Sequence, residues 1–235
     1  MSKLAIAIPL ENTNKKGPMG FKEEQKRQRQ IVSQTLMEGA LQLSAEEGYA
    51  SLSLRSVARK AGIAPTSFYR HFRDMDELGL ALVDQAAGLF RSELANALES
   101  MDYSLPEKGV NPAKMARALE NVVSPLVESF FGMVSDNQNL FMLFFQEKTG
   151  SSKALRKAIT GEIQKSAQAL AKRMEALRLE FSGKQDTALA LARTMLNLAI
   201  SGAQEMITDK DCSLQTVIQR VSRECELVLL GALVS

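Results

Sequence analysis

The sequence predicts an all-α protein made of a helix-turn-helix head and a longer helical body. Three observations carry this. Ala, Leu, Glu, Lys, Arg, Gln and Met dominate, while runs of the strand formers Val, Ile, Thr and Tyr are nearly absent. Apolar residues recur at helical spacing over most of the chain. Gly, Pro, Ser and Asn stand where helices of ordinary length should start and stop. With 235 residues, 45% of them hydrophobic, the chain can bury a sizeable core. Its 14 glycines and 6 prolines are too few for a disordered or loop-rich protein.

Residues 1–20 read as a flexible arm, residues 21–75 as the head and residues 76–235 as the body. The head opens with a helix over 22–47, in which Val32, Leu36, Gly39 and Leu43 share one stripe. Gly48 stops it. Ser53 is a fitting N-cap for a short helix Leu54–Ala61, and Gly62 suits the left-handed turn that ends it. Pro65 suits the first position of a third helix running to about Phe72. Two short helices joined by a Gly-containing turn are the mark of a helix-turn-helix. The body divides into helices near 76–100, 112–134, 138–148, 152–179, 186–208 and 213–232, about nine helices in all. Asn111-Pro112 and Ser151-Ser152 read as caps, Ser182-Gly183 as a break, and Pro125 as a kink or division of its helix.

The net charge of +2 hides an asymmetry. Residues 15–73 hold eleven Lys/Arg against five Glu and no Asp, a balance of +6. Lys3 and Glu11 cancel in the first fourteen residues, so the remainder from Asp74 onward is −4. A basic head on an acidic body points to a polyanion partner for the head alone. On a helical wheel Phe68, Phe72 and Pro65 face the core, while Thr66, Ser67 and Arg70 face out, with Tyr69 and His71 on the flanks. That outer face offers a guanidinium, hydroxyls, a phenol and an imidazole, and no acid. Arg can pair with guanine and Thr can touch a base or a thymine methyl. Tyr69 and His71 suit phosphate oxygens, and Arg55 and Arg73 can hold the flanking backbone of double-stranded DNA.

An enzyme reading fails on inventory. His71 is the only histidine, so no His-based triad or multi-His metal site can form. The chain has no glycine-rich phosphate loop and no Cys-x-x-Cys pair. Cys212 and Cys225, thirteen residues apart along the last predicted helix, stand ~20 Å apart at the helical rise and cannot bridge. They read as reduced thiols. No run approaches the ~20 apolar residues of a membrane span, so the expectation is a cytoplasmic protein with no membrane partner.

Gly48-Tyr49, Ser53-Leu-Arg-Ser-Val-Ala58, Ala61-Gly62-Ile63 and Phe68-Tyr69-Arg-His-Phe72 resemble the DNA-binding domain of the TetR family of bacterial regulators. The longer run from Ala61 to Gly79 is similar to the branch that represses unsaturated fatty acid synthesis and controls fatty acid desaturases. The likeness is dense over about 44–84 and thinner around 146–152; beyond that it is mostly a matter of helix count. Met75 stands where many members have a phosphate-contacting lysine, so no contact is carried to it; Arg73 is the candidate replacement. The resemblance implies a homodimer on a palindromic operator, with the last two long helices as its interface and an effector pocket in the body. No cofactor is implied. The implied effector is a long-chain fatty acyl thioester, acyl-CoA or acyl-ACP.

The residues leave two readings open in each half of the body. Leu214, Val217, Val221, Cys225 and Val228 form a seam, and Ala188, Ala192, Met195, Ala199 and Gly202 a small-residue face. These could pack on a partner chain or within the chain's own core. Phe130, Phe131, Phe141, Phe144 and Phe145, with the methionines among them, could line an adaptable lipid cavity or form an ordinary core. Composition alone favours the core, and the resemblance favours the cavity. The competing function is repression of an efflux pump in response to drug-like amphiphiles. An acidic pocket residue would mark it, with Glu128 and Glu147 the candidates.

Overall fold

Local capping explains where the head's helices begin and end. In the computed structural model, which describes residues 18–100, 111–176, 186–209 and 211–234, α1 spans Pro18–Glu47 and stops at Gly48, whose φ is 77°. A 3-10 turn, Tyr49–Ser51, follows. Helix α2, Leu54–Lys60, is closed at its start by a reciprocal bond between Ser53 and Ser56. At its end Gly62 adopts φ 68°, the Ile63 N–H bonds the Ala58 carbonyl at 2.8 Å, and the Gly62 N–H bonds that of Arg59 at 3.1 Å. These two bonds make a Schellman motif, which turns the chain toward α3, Pro65–Phe68.

The body holds α4 (Met75–Ser100), α5 (Pro112–Asp136), α6 (Gln138–Glu147), α7 (Lys153–Ala176), α8 (Thr187–Thr208) and α9 (Leu214–Val234). Among the described residues there is no strand, and no helix is long and apolar enough to cross a membrane. Asn111 caps α5 by accepting the Ala113 N–H at 2.9 Å, and Ser152 accepts the Leu155 N–H ahead of α7. Of the kink or division expected at Pro125, the division does not occur: α5 runs through it unbroken. Pro125 sits on the exposed side, as does Asn121, whose freed carbonyl can bond water. The expected break at Ser182-Gly183 lies outside the described residues. Cys212 is not on the last helix; it lies in the turn before α9, while Cys225 is buried on α9.

One apolar core runs from Leu36 and Phe68 in the head to Phe131 and Leu229 in the body. The junction is tight. Tyr49 donates its hydroxyl to the Met75 carbonyl at 2.5 Å, at the start of α4. Gly79 makes room for it: a Cβ there would lie 2.8 Å from the Tyr49 hydroxyl and 3.0 Å from both Leu155 methyls.

The small-residue face of α8 and the seam of α9 pack on each other and on α5, so the reading within the chain is the one observed. Val217, Val221 and Cys225 are buried, as are Ala188, Ala192, Met195, Ala199 and Gly202; Leu214 is exposed. A Cβ at Gly202 would lie 2.7 Å from a Val221 methyl, 3.0 Å from Phe131 and 3.1 Å from Val217. Gly202→Ala is therefore expected to destabilise the fold. Overpacking costs about 1–3 kcal/mol, which outweighs the ~1 kcal/mol that alanine gains over glycine in a helix. A denaturant midpoint at or above that of the unsubstituted protein would contradict so close an α8–α9 approach.

Candidate nucleic-acid interface

The side chains expected on DNA are gathered by α3 and the residues just after it. Phe68 and Phe72 anchor the segment in the core, with ring centroids 5.9 Å apart. The segment mixes three- and four-residue hydrogen bonds: the Ser67, Arg70 and His71 N–H groups bond the carbonyls of Ala64, Ser67 and Phe68, three residues back, and the Phe72 N–H bonds that of Phe68, four back. The side chains depart from the positions of a regular wheel. Pro65 is exposed, not facing the core, and Ser67 is half-buried. Among the described residues Tyr69 is the most open aromatic, 65% exposed, beside exposed Thr66 and Arg70. Arg55, in the first turn of α2, is also exposed.

His71 and Arg73 are more constrained than the sequence suggested. His71 is half-buried against α1, with its Nδ1 3.1 Å from the Ser33 hydroxyl. Burial, with the positive charges of Arg29 and Arg70, holds its imidazole below the usual histidine range. The free protein therefore disfavours the charged form of this ring. Arg73 is open to solvent, but its Nε bonds Asp74 at 3.2 Å, and its backbone N–H bonds Glu77 at 2.6 Å. Asp74 in turn caps α4 by accepting the Glu77 N–H at 2.8 Å. Part of the Arg73 charge is thus already answered by a neighbour. The Ser33–His71 contact spans 38 residues and left no local mark in the sequence.

The aromatic residues considered for an effector pocket divide. Phe131, Phe141, Phe144 and Phe145 are closed core, the last three in tilted and edge-on contact with centroids 5.9–6.3 Å apart. Phe130 meets Phe90 edge-on and lines a cavity of about 30 Å³ between α4 and α5. That is room for about one water, so an acyl chain enters only if α4 and α5 separate. The carboxylate on this cavity is Glu93, which accepts a hydrogen bond from Ser129. Glu128 is exposed in a surface groove between α5 and α9. Glu147 is 4% exposed at the junction of head and body, where burial holds its carboxyl above the usual range against the pull of Arg156. Neither of the two acids suspected from sequence lies on the Phe130 cavity, and Glu93 was missed.

Residues 36–82 match the family model for bacterial regulatory proteins of the tetR family. The match lies within the head. The likeness in fold extends beyond it into the body. The fatty acid degradation regulator FadR from Bacillus halodurans aligns with a TM-score of 0.65 at 17% identity, covering 93% of this chain and 97% of that one. FadR from Bacillus subtilis, solved in complex with stearoyl-CoA, aligns at 0.64 and 16%, covering 82% and 96%. A transcriptional regulator of the TerR/AcrR family from Aquifex aeolicus aligns at 0.63 and 16%, covering 84% and 99%. In fold the chain is similar to TetR-type transcriptional regulators.

Proposed function

We propose that this TetR-type regulator binds a palindromic operator as a homodimer and represses genes of fatty acid biosynthesis or desaturation in response to long-chain acyl thioesters. One observation carries the DNA reading. A capped helix-turn-helix presents Thr66, Tyr69 and Arg70 to solvent with no acid among them, within residues 15–73, which carry +6 in a chain of +2. The run from Ala61 to Gly79, which resembles FabR, supports the fatty acid role, as does the stearoyl-CoA complex of the B. subtilis neighbour. Since the inner faces of α8 and α9 are used within the chain, the dimer uses their outer faces. These carry Ala190, Thr194, Asn197 and Ser201 on α8, and Thr216, Arg220, Arg223 and half-exposed Leu227 on α9. Two heads on successive major grooves would place half-site centres ~34–36 Å apart.

Glu93 on the Phe130 cavity keeps the second reading alive, since a carboxylate there suits a cationic amphiphile of the kind an efflux regulator senses. One experiment separates the two. The operator complex is titrated with saturated and cis-unsaturated acyl-CoA of matched length, with free CoA as control and with a quaternary-ammonium amphiphile. Acyl-CoA is expected to change operator affinity, and its own affinity should climb with chain length at about 0.8 kcal/mol per buried methylene. The ligand must favour one disposition of the two heads, since equal affinity for both would shift nothing. A response to the ammonium compound alone would replace the lipid reading with the efflux one.

A further inference from the structure

The N-terminal half of α1 is an open charged surface of the head, and the helix-turn-helix does not account for it. Residues 22–30 are all exposed. On a helix turning ~100° per residue, Lys22, Lys26 and Arg29 fall within ~40° of Ser33, while Glu24 falls on the opposite side. Ser33 is the residue that touches His71, at the end of the recognition segment. The contact fixes the rotation of α1, so the cationic stripe starts where the recognition segment ends. Arg29 lies close enough to bear on the His71 ring together with Arg70, so the two guanidinium groups share one electropositive region. Among the described residues no carboxylate lies within ion-pair distance of Lys22, Lys26 or Arg29.

We propose that Lys22, Lys26 and Arg29 form a second phosphate-binding surface, which carries the DNA footprint beyond the helix-turn-helix onto the flanking duplex. The inference rests on the DNA-binding reading above and extends it to residues outside the recognition segment. From Lys22 to Ser33 the helix rises ~16 Å, enough to pass several charges of a duplex carrying one per ~1.7 Å of axis. An anionic membrane is the other polyanion such a stripe could meet. A membrane-surface helix needs an apolar face beside the cationic one, and residues 22–30 are polar on every side. The stripe carries no sequence information, because lysine and arginine on phosphate fix position and not base identity.

The test compares the full chain with its Lys22→Gln/Lys26→Gln/Arg29→Gln variant. Both are measured on the duplex that the unsubstituted chain selects from a random pool, with about ten base pairs left on each flank. Affinity is followed against salt. The variant is expected to lose ~0.9 in the log–log slope for each contact removed, up to ~2.7 per head. It should keep its preference for the selected duplex over a scrambled one. Trimming the flanks should weaken the unsubstituted chain and leave the variant nearly unchanged, bringing the two together. An unchanged slope and unchanged response to trimming would overturn the proposal while leaving the DNA-binding reading intact. A variant that loses discrimination at unchanged slope would place these side chains on bases and overturn the phosphate role. If the unsubstituted chain selects no duplex at all, the DNA-binding reading falls, and this proposal with it.

Discussion

Phe131→Ala is expected to cost about 3–5 kcal/mol of folding stability, the range for deleting a fully buried aromatic ring. Phe131 is 0% exposed. Its ring meets Phe130 edge-on with centroids 5.4 Å apart, and its far end lies 3.0 Å from where a Cβ on Gly202 would stand. The side chain therefore plugs α5 into the seam between α8 and α9, and its truncation leaves a hole there. Denaturant unfolding at fixed protein concentration is the measurement, because the proposed dimer would make apparent stability depend on concentration. A loss under about 1.5 kcal/mol would mean that the site collapses onto the gap, behaviour closer to a volume-tolerant swap than to a cavity. The same variant bears on the effector. If Phe131 borders the space opened by an acyl chain, the variant should accept a longer chain than the unsubstituted protein does. If it is core in both states, the preferred length stays the same.

What was legible in the sequence is what is decided locally. Ser53, Gly62 and Pro65 each set a helix end through bonds or dihedrals within five residues, and each acts where the sequence placed it. The orientation of the recognition segment was not fully legible, because a wheel assumes regular α geometry. Three- and four-residue hydrogen bonds are mixed from Ser67 to Phe72. Pro65 and Ser67, in the first turn, do not sit where the regular wheel puts them. The seam on α9 shows a different limit. A repeat of 3 and 4 identifies an apolar face but not the surface it meets, and here the surface is α8 of the same chain. The phenylalanines of α6 follow the same logic, since composition does not separate a packed cluster from a cavity wall. The Ser33–His71 contact depends on how α1 crosses the recognition segment, and no local signal encodes it.

Arg70→Ala and Thr66→Ala are expected to lose sequence discrimination, whereas Arg73→Ala should weaken binding to all duplexes alike. A good base contact is worth roughly 1–3 kcal/mol of discrimination, which is about 5- to 150-fold in the ratio of operator to scrambled affinity. Both Arg70 and Thr66 are exposed on the recognition segment, held there by buried Phe68 and Phe72. Arg73 follows the segment and is tied to Asp74, so its charge is only partly available to a phosphate. Its removal should lower the salt slope by less than the ~0.9 of a full contact per head. It also releases Asp74, a carboxylate that repels the backbone. Asp74→Asn in the Arg73→Ala background should then recover part of the lost affinity on every sequence, provided α4 keeps its cap through the asparagine side chain. The decisive comparison is each variant on operator and on scrambled DNA at one salt concentration. If Arg70→Ala lowers both affinities by the same factor, Arg70 contacts phosphate. The reading of base identity would then pass to Thr66 and Tyr69, the other exposed side chains of the segment.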